Sequence, residues 1–290
     1  KHLLVMAAGT GGHVIPGLAV AAEMKRRGWS VSWLGTPNGF ENKLVPKAGI
    51  ALDRIAFSGL RGKGFVRNTI GAFHLLAAFG ACKKILRKRG VDAVLGMGGY
   101  VCFPGGWTAR WLGKPLLLVN ADASLLLSNK ALLPAANRIA FGFAGASAEK
   151  AGPKAVVTGN PVRQEIEDMP DPRMRFVGRA GALRVLVVGG SLGARVLNEC
   201  VPLAIGRLKG RTRPHVTHQT GEAMQAAVVA AYRRIDAEAE VLPFIDDIAV
   251  RLAECDVIVC RAGAITVSEL CAAGVPAVLV PLVVSTTSHQ

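Results

Sequence analysis

The sequence predicts an α/β protein with two Rossmann-like domains that face each other across a cleft. An apolar strand, a glycine-rich turn and an Ala/Leu-rich helix occupy residues 2–27, and the same order of elements returns at residues 183–208. Such units are typical of parallel sheets, whose ligands bind beyond the carboxyl ends of the strands. The length of 290 residues is enough for two domains that each bury a core. We expect a first domain at 1–163, a polar, proline-containing linker at 164–182 and a second domain at 183–290.

Composition narrows the classes of partner. Residues 1–163 carry 22 Lys and Arg against 6 Asp and Glu, whereas the remaining residues carry 13 against 14. Only the first half is therefore expected to meet an anionic surface or substrate. Nucleic acid is not expected, because the basic residues form no reading motif and are not interleaved with aromatics. The six cysteines lie in apolar runs, which indicates buried thiols in a reducing compartment. The cysteines lack the spacing of metal ligands, and the sequence has no acidic or histidine cluster, so no essential metal is expected. No signal peptide or membrane-spanning helix is expected either.

The first glycine turn, residues 7–13, joins a strand at His2–Met6 to a helix expected at Gly17–Arg27. Unpaired N–H groups at such a helix start receive a phosphate or a similar anion. The turn lacks the spacing of the dinucleotide fingerprint, and the next strand, Trp29–Leu34, is not followed by the expected acidic residue. A nicotinamide or flavin cofactor is therefore not expected. His13 is either a structural histidine or a group that contacts ligand or accepts a proton near neutral pH, with a nearby anion or carboxylate keeping it basic.

A second glycine turn, Gly96–Tyr100, follows the strand Asp92–Leu95. Two such turns in one domain indicate a shared anion site, for instance for a diphosphate. Residues 58–90 lie between the two turns and combine an apolar cluster with flanking Lys and Arg. This segment is either an amphipathic core helix with a solvated basic end or a surface that docks on an anionic membrane. A further strand is expected at Leu116–Asn120.

The second domain repeats the pattern with the strand Leu183–Val188, the turn Gly189–Ala194 and the helix Arg195–Leu208. Ser191 in this turn could donate its hydroxyl to a phosphate, or the glycines could serve only tight packing of helix against strand. Two short strands and a turn follow, at His215–Gln219, Glu240–Leu242 and Phe244–Asp247.

The stretch Asp256–Pro281 holds a buried strand, a small-residue turn, a helix that ends at Gly274 and a second buried strand. Glu269 in this helix admits two interpretations. Together with Thr266 it has the spacing of a capping box, in which each side chain bonds the other's backbone N–H group. Alternatively, its carboxylate accepts hydrogen bonds from a ribose diol.

Several of these motifs follow one another in a specific order along nearly the whole chain. They are Gly9–His13 with Pro16–Gly17, Gly96–Tyr100, Thr158–Arg163, Val187–Ala194, Phe244–Asp247 and Arg261–Glu269. Together they resemble the MurG family of bacterial glycosyltransferases, glycosyltransferase family 28. The resemblance implies a GT-B fold and an inverting transfer of N-acetylglucosamine from UDP-N-acetylglucosamine to the 4-hydroxyl of the muramoyl residue of lipid I, which forms lipid II in peptidoglycan synthesis.

The resemblance also implies roles for individual residues. Ile245 would read the uracil through its backbone, Glu269 would bind the ribose, and Ser191 and Arg163 would bind the diphosphate region. Two further groups would surround the sugar and phosphate, Ala264, Ile265, Thr266, Val267 and Ser268 from the second domain and Thr10, Gly11 and Gly12 from the first. The acceptor diphosphate is expected at Gly11, Gly12, Gly98, Gly99 and Tyr100. His13 is the candidate catalytic base.

The chain departs from the family pattern in three places. Val119–Asp122 replaces a family His-Glu-Gln-Asn motif, which leaves Asp122 or Asn129 for a donor-sugar contact. Gln290 is the single match to a family Gln-Gln pair, and because family members continue further we expect the C-terminal part to be missing.

The resemblance implies a peripheral location on the cytoplasmic face of the bacterial inner membrane. The implied partners are UDP-N-acetylglucosamine, undecaprenyl-diphosphate-linked muramoyl-pentapeptide and the anionic membrane surface, with no cofactor. The alternatives are another GT-B UDP-sugar enzyme, such as a glycolipid synthase or UDP-sugar epimerase, and a non-catalytic membrane-surface scaffold.

Overall fold

The structure is a computed structural model, and it describes residues 1–9, 11–57, 65–190, 193–208 and 213–282. For residues 65–72 it describes the backbone only. The chain forms two compact units, Lys1–Pro161 and a second unit that begins at Val162. Each unit has its own parallel sheet and its own core, which confirms the prediction of two Rossmann-like α/β domains.

The first unit is built on a parallel sheet of seven strands. The strands are β1 (His2–Ala7), β2 (Ser30–Gly35), β3 (Ala51–Arg54), β4 (Ala93–Gly98), β5 (Leu116–Asn120), β6 (Arg138–Phe141) and β7 (Ala155–Val157). The helices are α1 (Gly11–Arg26), α2 (Glu41–Lys47), α3 (Phe65–Lys88), α4 (Cys102–Trp111), α5 (Leu127–Leu132) and α6 (Ala146–Ala151). The strand order is β3-β2-β1-β4-β5-β6-β7. Because the order reverses between β1 and β4, the carboxyl ends of these two strands are the expected ligand site of the unit.

Strand β1 is continuously apolar because helices cover both of its faces. Leu4 and Met6 point into a core that α3 and α4 complete, whereas Val5 points into a second core with Trp33 and residues of α1. The predicted strands at residues 2–6 and 92–95 are confirmed as β1 and β4, the two neighbours at the reversal.

Helix α1 begins at Gly11, six residues before the predicted start. The prediction placed Pro16 directly before the first helical residue, where a missing N–H group removes no helical hydrogen bond. Instead, Pro16 lies in the second turn of α1, where its missing N–H group removes one backbone hydrogen bond. The next residue, Gly17, packs closely on Trp33, since a Cβ atom there would lie 2.7 Å from Trp33 Cη2. His13 therefore lies in the first turn of α1 rather than in the loop.

The second unit holds a parallel sheet of five strands. The strands are β8 (Arg184–Val188), β9 (His215–Gln219), β10 (Ala239–Leu242), β11 (Val257–Arg261) and β12 (Ala277–Val280). The helices are α7 (Gln164–Glu167), α8 (Pro172–Arg175), α9 (Arg195–Arg207), α10 (Gln225–Arg234), α11 (Ile248–Glu254) and α12 (Ala264–Ala273). The strand order is β10-β9-β8-β11-β12, and the predicted repeat of strand, glycine turn and helix is confirmed by β1–α1 and β8–α9.

The segment 164–182, which the sequence predicts to be a linker, belongs to the second unit and carries α7 and α8. Arg179 donates through Nη2 to Ala253 O at 2.6 Å and through Nη1 to Glu254 O at 2.9 Å, and Arg175 donates to Ala273 O. These carbonyls end α11 and α12, where helical partners are lacking and positive charge is favourable. The segment thus caps the carboxyl ends of α11 and α12 in the second unit.

The prediction of buried thiols holds for four cysteines and is wrong for two. Cys82, Cys102, Cys255 and Cys260 are buried, whereas Cys200 on α9 and Cys271 on α12 are exposed. Both exposed cysteines lie on the outer faces of helices, where an apolar local sequence does not ensure a covering neighbour.

Candidate functional site

In the first unit, the two glycine turns meet at the carboxyl ends of β1 and β4. A Cβ atom on Gly98 would lie 2.5 Å from His13 Cδ2, and one on Gly99 would lie 2.6 Å from Ala8 O. Only glycine permits this approach, and both residues have positive φ angles, 126° and 91°. The structure therefore brings His13, Gly98 and Gly99 together, as the sequence predicts for a shared site.

The first turn of α1 supplies N–H groups at this place. Gly11 is buried, and Gly12 is exposed. The first four N–H groups of a helix have no partner within the helix, so this end of α1 can receive an anion. Tyr100 on the neighbouring turn is 49% exposed and is accessible to a ligand. Thr10 lies outside the described residues.

His13 is positioned to act as a neutral base. Burial lowers the pKa of its imidazole below the usual 6.5, while the Ala8 backbone and the Asp122 carboxylate act in the opposite direction. Its Nδ1 atom is buried and has no hydrogen-bond partner in the described part of the chain. Burial thus outweighs the carboxylate that was expected to keep the ring basic, and near neutral pH the ring is unprotonated and able to accept a proton.

The loop that carries Asp122 is organised by a buried asparagine that the sequence analysis missed. Asn120 ends β5 and donates from Nδ2 to Asp122 O at 2.7 Å and to Ser124 O at 3.0 Å. Asn129, the alternative to Asp122, is fully buried and donates to Val119 O at 2.9 Å. Of the two, Asp122 is the side chain that a ligand can reach. The sequence signal for this role was an asparagine, Asn120, at the end of an otherwise apolar strand.

In the second unit, the glycine turn after β8 packs closely on a neighbouring strand end. Gly193 has a φ of 77°, and a Cβ atom there would collide with the carbonyl of Thr220. Tight packing is therefore one confirmed role of these glycines. Ser191, the predicted phosphate contact, lies outside the described residues.

Gln219 joins the two predicted ligand turns of the second unit, and the sequence analysis did not single it out. Its Nε2 donates to Gly190 O at 2.8 Å, and its Oε1 accepts the N–H of Ile245 at 3.2 Å. The side chain is 4% exposed, so the link is internal. Gly190 and Ile245, which are far apart in sequence, therefore lie at one edge of the sheet, and the Ile245 N–H already has a partner.

Glu269 forms an ion pair with Arg163 instead of a capping box. Arg163 Nε donates to Oε1 at 2.7 Å and Nη2 donates to Oε2 at 3.0 Å, the two-bond geometry typical of arginine and carboxylate. The capping-box interpretation is wrong because α12 begins at Ala264 with Gly263 as its N-cap, so that Thr266 lies inside the first turn, and no side chain caps the helix. Glu269 lies in the second turn, where its own helix start is out of reach.

The start of α12 offers backbone donors close to this ion pair in sequence. Its first turn comprises Ala264, Ile265, Thr266 and Val267, all partly exposed, and Ser268 donates from Oγ to Ala264 O at 3.0 Å. The helix ends at Gly274 in the left-handed conformation, as predicted. Gln290, the remaining predicted donor contact, lies outside the described residues.

An apolar surface lies on α3 and α4 of the first unit. Phe73 and Leu76 are 74% and 69% exposed, and Trp111 is 64% exposed and contacts Phe79 with ring centroids 4.8 Å apart. We call Phe73, Leu76, Phe79 and Trp111 the aromatic patch. Four exposed basic residues follow it along α3, Lys83, Lys84, Arg87 and Lys88. No described helix is long and apolar enough to span a bilayer.

Two Rossmann-like units with glycine turns at the carboxyl ends of parallel strands match the fold of the GT-B glycosyltransferases. The glycosyltransferase family 28 N-terminal domain matches residues 3–141, and the glycosyltransferase family 28 C-terminal domain matches residues 184–290. The chain therefore belongs to glycosyltransferase family 28, and the predictions of a MurG-family fold and of a glycosyltransferase are confirmed.

Individual relatives match along the whole chain. A protein of Methylibium petroleiphilum, named UDP-N-acetylglucosamine–N-acetylmuramyl-(pentapeptide) pyrophosphoryl-undecaprenol N-acetylglucosamine transferase, is 66% identical over 295 residues, covering 100% of this chain and 80% of the relative. The protein of the same name from Chromobacterium violaceum is 63% identical over 293 residues, covering 100% and 81%. The crystal structure of MurG from Acinetobacter baumannii is 37% identical with a TM-score of 0.77, covering 100% of this chain and 81% of the other.

Proposed function

We propose that this chain transfers N-acetylglucosamine from UDP-N-acetylglucosamine to the 4-hydroxyl of the muramoyl residue of lipid I, with inversion at the anomeric carbon. The product is lipid II, the disaccharide precursor of peptidoglycan. The name of the relative that is 66% identical supports the donor and the acceptor class. The observation that carries the proposal is the close approach of the half-buried imidazole of His13 to the second glycine turn at Gly98.

His13 acts as the general base in this proposal. It accepts the proton of the 4-hydroxyl while the oxygen bonds to C1 of N-acetylglucosamine and the bond from C1 to the UDP oxygen breaks. The acceptor diphosphate lies against the start of α1 and the second turn, at Gly11, Gly12, Gly98, Gly99 and Tyr100. A neutral imidazole suits this task because it is unprotonated when the acceptor arrives.

The second unit supplies most of the donor contacts in this proposal. The start of α12, from Ala264 to Ser268, and Arg163 offset the negative charge that the departing UDP gains. Glu269 accepts hydrogen bonds from the ribose diol, and the backbone at Ile245 meets the uracil. In this structure the Glu269 carboxylate is paired with Arg163. When the donor binds, the carboxylate either accepts the ribose hydrogen bonds in addition to those of Arg163 or exchanges Arg163 for the ribose. By family correspondence Ser191, Asp122, Thr10 and Gln290 complete the donor site.

The aromatic patch and the adjacent basic residues support peripheral docking on the cytoplasmic face of the inner membrane. Exposed apolar patches mark interaction surfaces, and apolar side chains next to clustered Lys and Arg give the two contributions that stable binding to anionic lipid requires. Docking through the first unit would bring the lipid-linked acceptor to the unit that holds His13. The anionic bilayer is thus the second partner that we propose for the basic half of the chain.

Release of UDP from UDP-N-acetylglucosamine, measured with and without a lipid I analogue, tests the proposal. We expect release only when the acceptor is present. Release without acceptor would indicate a hydrolase or an epimerase. Donor binding without any release would indicate a scaffold or a different lipid acceptor, and either result would overturn the proposal.

A further inference from the structure

Glu41 is a buried carboxylate for which the transfer chemistry gives no direct use. It is 0% exposed, and no ion pair among the described residues includes it. A carboxylate is almost never fully buried without a partner, because removing the charge from water is costly. Its partners here are three neutral donors. The backbone N–H of Thr36 and the hydroxyl of Thr36 donate to Oε1 at 2.7 and 2.8 Å, and the N–H of Gly9 donates to Oε2 at 3.1 Å.

The bond to Gly9 links this carboxylate to the glycine turn that leads into His13. The carbonyl of Gly9 also accepts the N–H of Phe40 at 3.0 Å, so both backbone polar groups of Gly9 are bound by adjacent residues at the start of α2. Gly9 has a φ of 101°, a conformation that glycine adopts readily and other residues rarely. The start of α2 therefore fixes the shape of the turn just before α1.

The surrounding chain leaves space for the carboxylate. A Cβ atom on Gly35 would lie 2.7 Å from Glu41 Cγ, and one on Gly39 would collide with the carboxylate oxygens. Two glycines thus keep open the pocket that this one side chain fills. In dinucleotide-binding units an acidic residue near the end of the second strand faces the ligand, whereas Glu41, which follows β2, is turned inward onto the turn itself.

We propose that Glu41 is a positioning residue for the transfer reaction, which holds Gly9 so that the first turn of α1 keeps His13 against Gly98. This inference rests on the proposed function. Glu41 touches neither substrate, so its loss acts through the turn. Most of the proposed donor contacts are in the second unit, and loss of Glu41 should therefore change donor affinity much less than acceptor turnover.

The test compares Glu41→Gln with Thr36→Val. Glutamine can still accept from Thr36 through its oxygen, but its NH₂ group faces the N–H of Gly9, two donors with no acceptor between them. Thr36→Val removes one hydrogen bond to the same carboxylate and leaves the bond to Gly9. The measurements are kcat and KM for a lipid I analogue, the Kd for UDP-N-acetylglucosamine, the melting temperature, and amide hydrogen exchange of residues 7–13.

We expect Glu41→Gln to lower kcat/KM for the acceptor about tenfold or more, which corresponds to the loss of one well-placed interaction. Donor Kd should stay within about twofold, and exchange in residues 7–13 should accelerate. Thr36→Val should stay within about threefold of the native protein in every kinetic value. Equal kinetics in the two variants, unchanged exchange, or an equal loss of donor affinity would overturn the inference. A native protein without acceptor-dependent transfer would instead overturn the proposed function.

Discussion

At the scale of single residues, the proposed chemistry of the first unit depends on His13 and Asp122. The half-buried imidazole packs against Gly98, and loss of solvent lowers its pKa more than the negative charge of Asp122 raises it. The neutral base therefore persists below pH 6.5, and activity that depends on it should fall only when the pH drops through the lowered pKa. Asp122 limits how far that value falls.

Asp122→Asn should move the acidic limb of the pH profile of kcat/KM to lower pH. The change removes a negative charge that favours the imidazolium form, so the His13 pKa falls further. The measurement is kcat/KM for the acceptor between about pH 5 and 8, with Asp53→Asn as a control because Asp53 pairs with Arg89 away from the turns. A shift to higher pH would contradict the assignment of His13 as the base.

The contacts of several site residues could not be predicted because their partners are remote in sequence. Glu269 has the local spacing of a cap, yet Arg163, 106 residues earlier, takes its carboxylate. Glu41 and Gln219 each hold a glycine turn that the sequence does identify, but nothing near them in sequence indicates the contact. Patterns of a few residues identify the turns, whereas the side chains that hold them become visible only when the strands are placed side by side.

At the scale of elements, the central strands of both sheets and the edge strands β10 and β12 of the second sheet were predicted, whereas β3 and β6 of the first sheet were not. Strands β1, β4, β8 and β11 are apolar runs because helices cover them on both sides, and each was predicted. Strand β3 was missed because it is short and none of its four residues is buried: the two end residues are exposed and the two central ones are half-buried. The sequence predicted helix starts less accurately than helix ends. Gly274 ends α12 as predicted, whereas α1 and α12 begin before the expected residue.

Gly274→Ala should destabilise the second unit by about 2 kcal/mol or more. Alanine pays roughly 1 kcal/mol for the left-handed conformation, and its Cβ would also collide with Pro172 of α8. Gly178→Ala is the matched control, because Gly178 has a φ of 72° in the same unit with open space around it. Urea unfolding should show a smaller loss, about 1 kcal/mol, for the control. Equal losses would mean that the contact with Pro172 contributes nothing.

Across the whole molecule, positive charge and exposed apolar surface coincide in the first unit. The excess of 22 basic over 6 acidic residues in residues 1–163 lies on the unit that carries the aromatic patch. The second half is nearly neutral, with 13 against 14. The charge asymmetry could be predicted by counting residues. The aromatic patch could not, because the sequence alone is equally consistent with α3 as a core helix and α3 as a membrane-docking surface.

The double change Phe73→Asp with Leu76→Asp should weaken binding to vesicles that contain anionic lipid about tenfold or more. It removes two apolar contacts and adds two negative charges to the docking surface. Leu203→Asp is the control, since Leu203 is 65% exposed on α9 of the second unit. Co-sedimentation at low and high salt measures both contributions. If the double variant and the Leu203→Asp control bound the vesicles equally well, the membrane contact would lie elsewhere on the chain.

Transfer of labelled N-acetylglucosamine from the UDP-sugar to a lipid I analogue tests the central claim most directly. The account predicts a lipid-linked product with the label on the 4-hydroxyl of the muramoyl residue and an inverted anomeric centre, and nearly none of it with His13→Ala. Label that stays water-soluble, as free sugar or as an epimer, would contradict the account. So would a lipid product that forms at the native rate without the His13 imidazole.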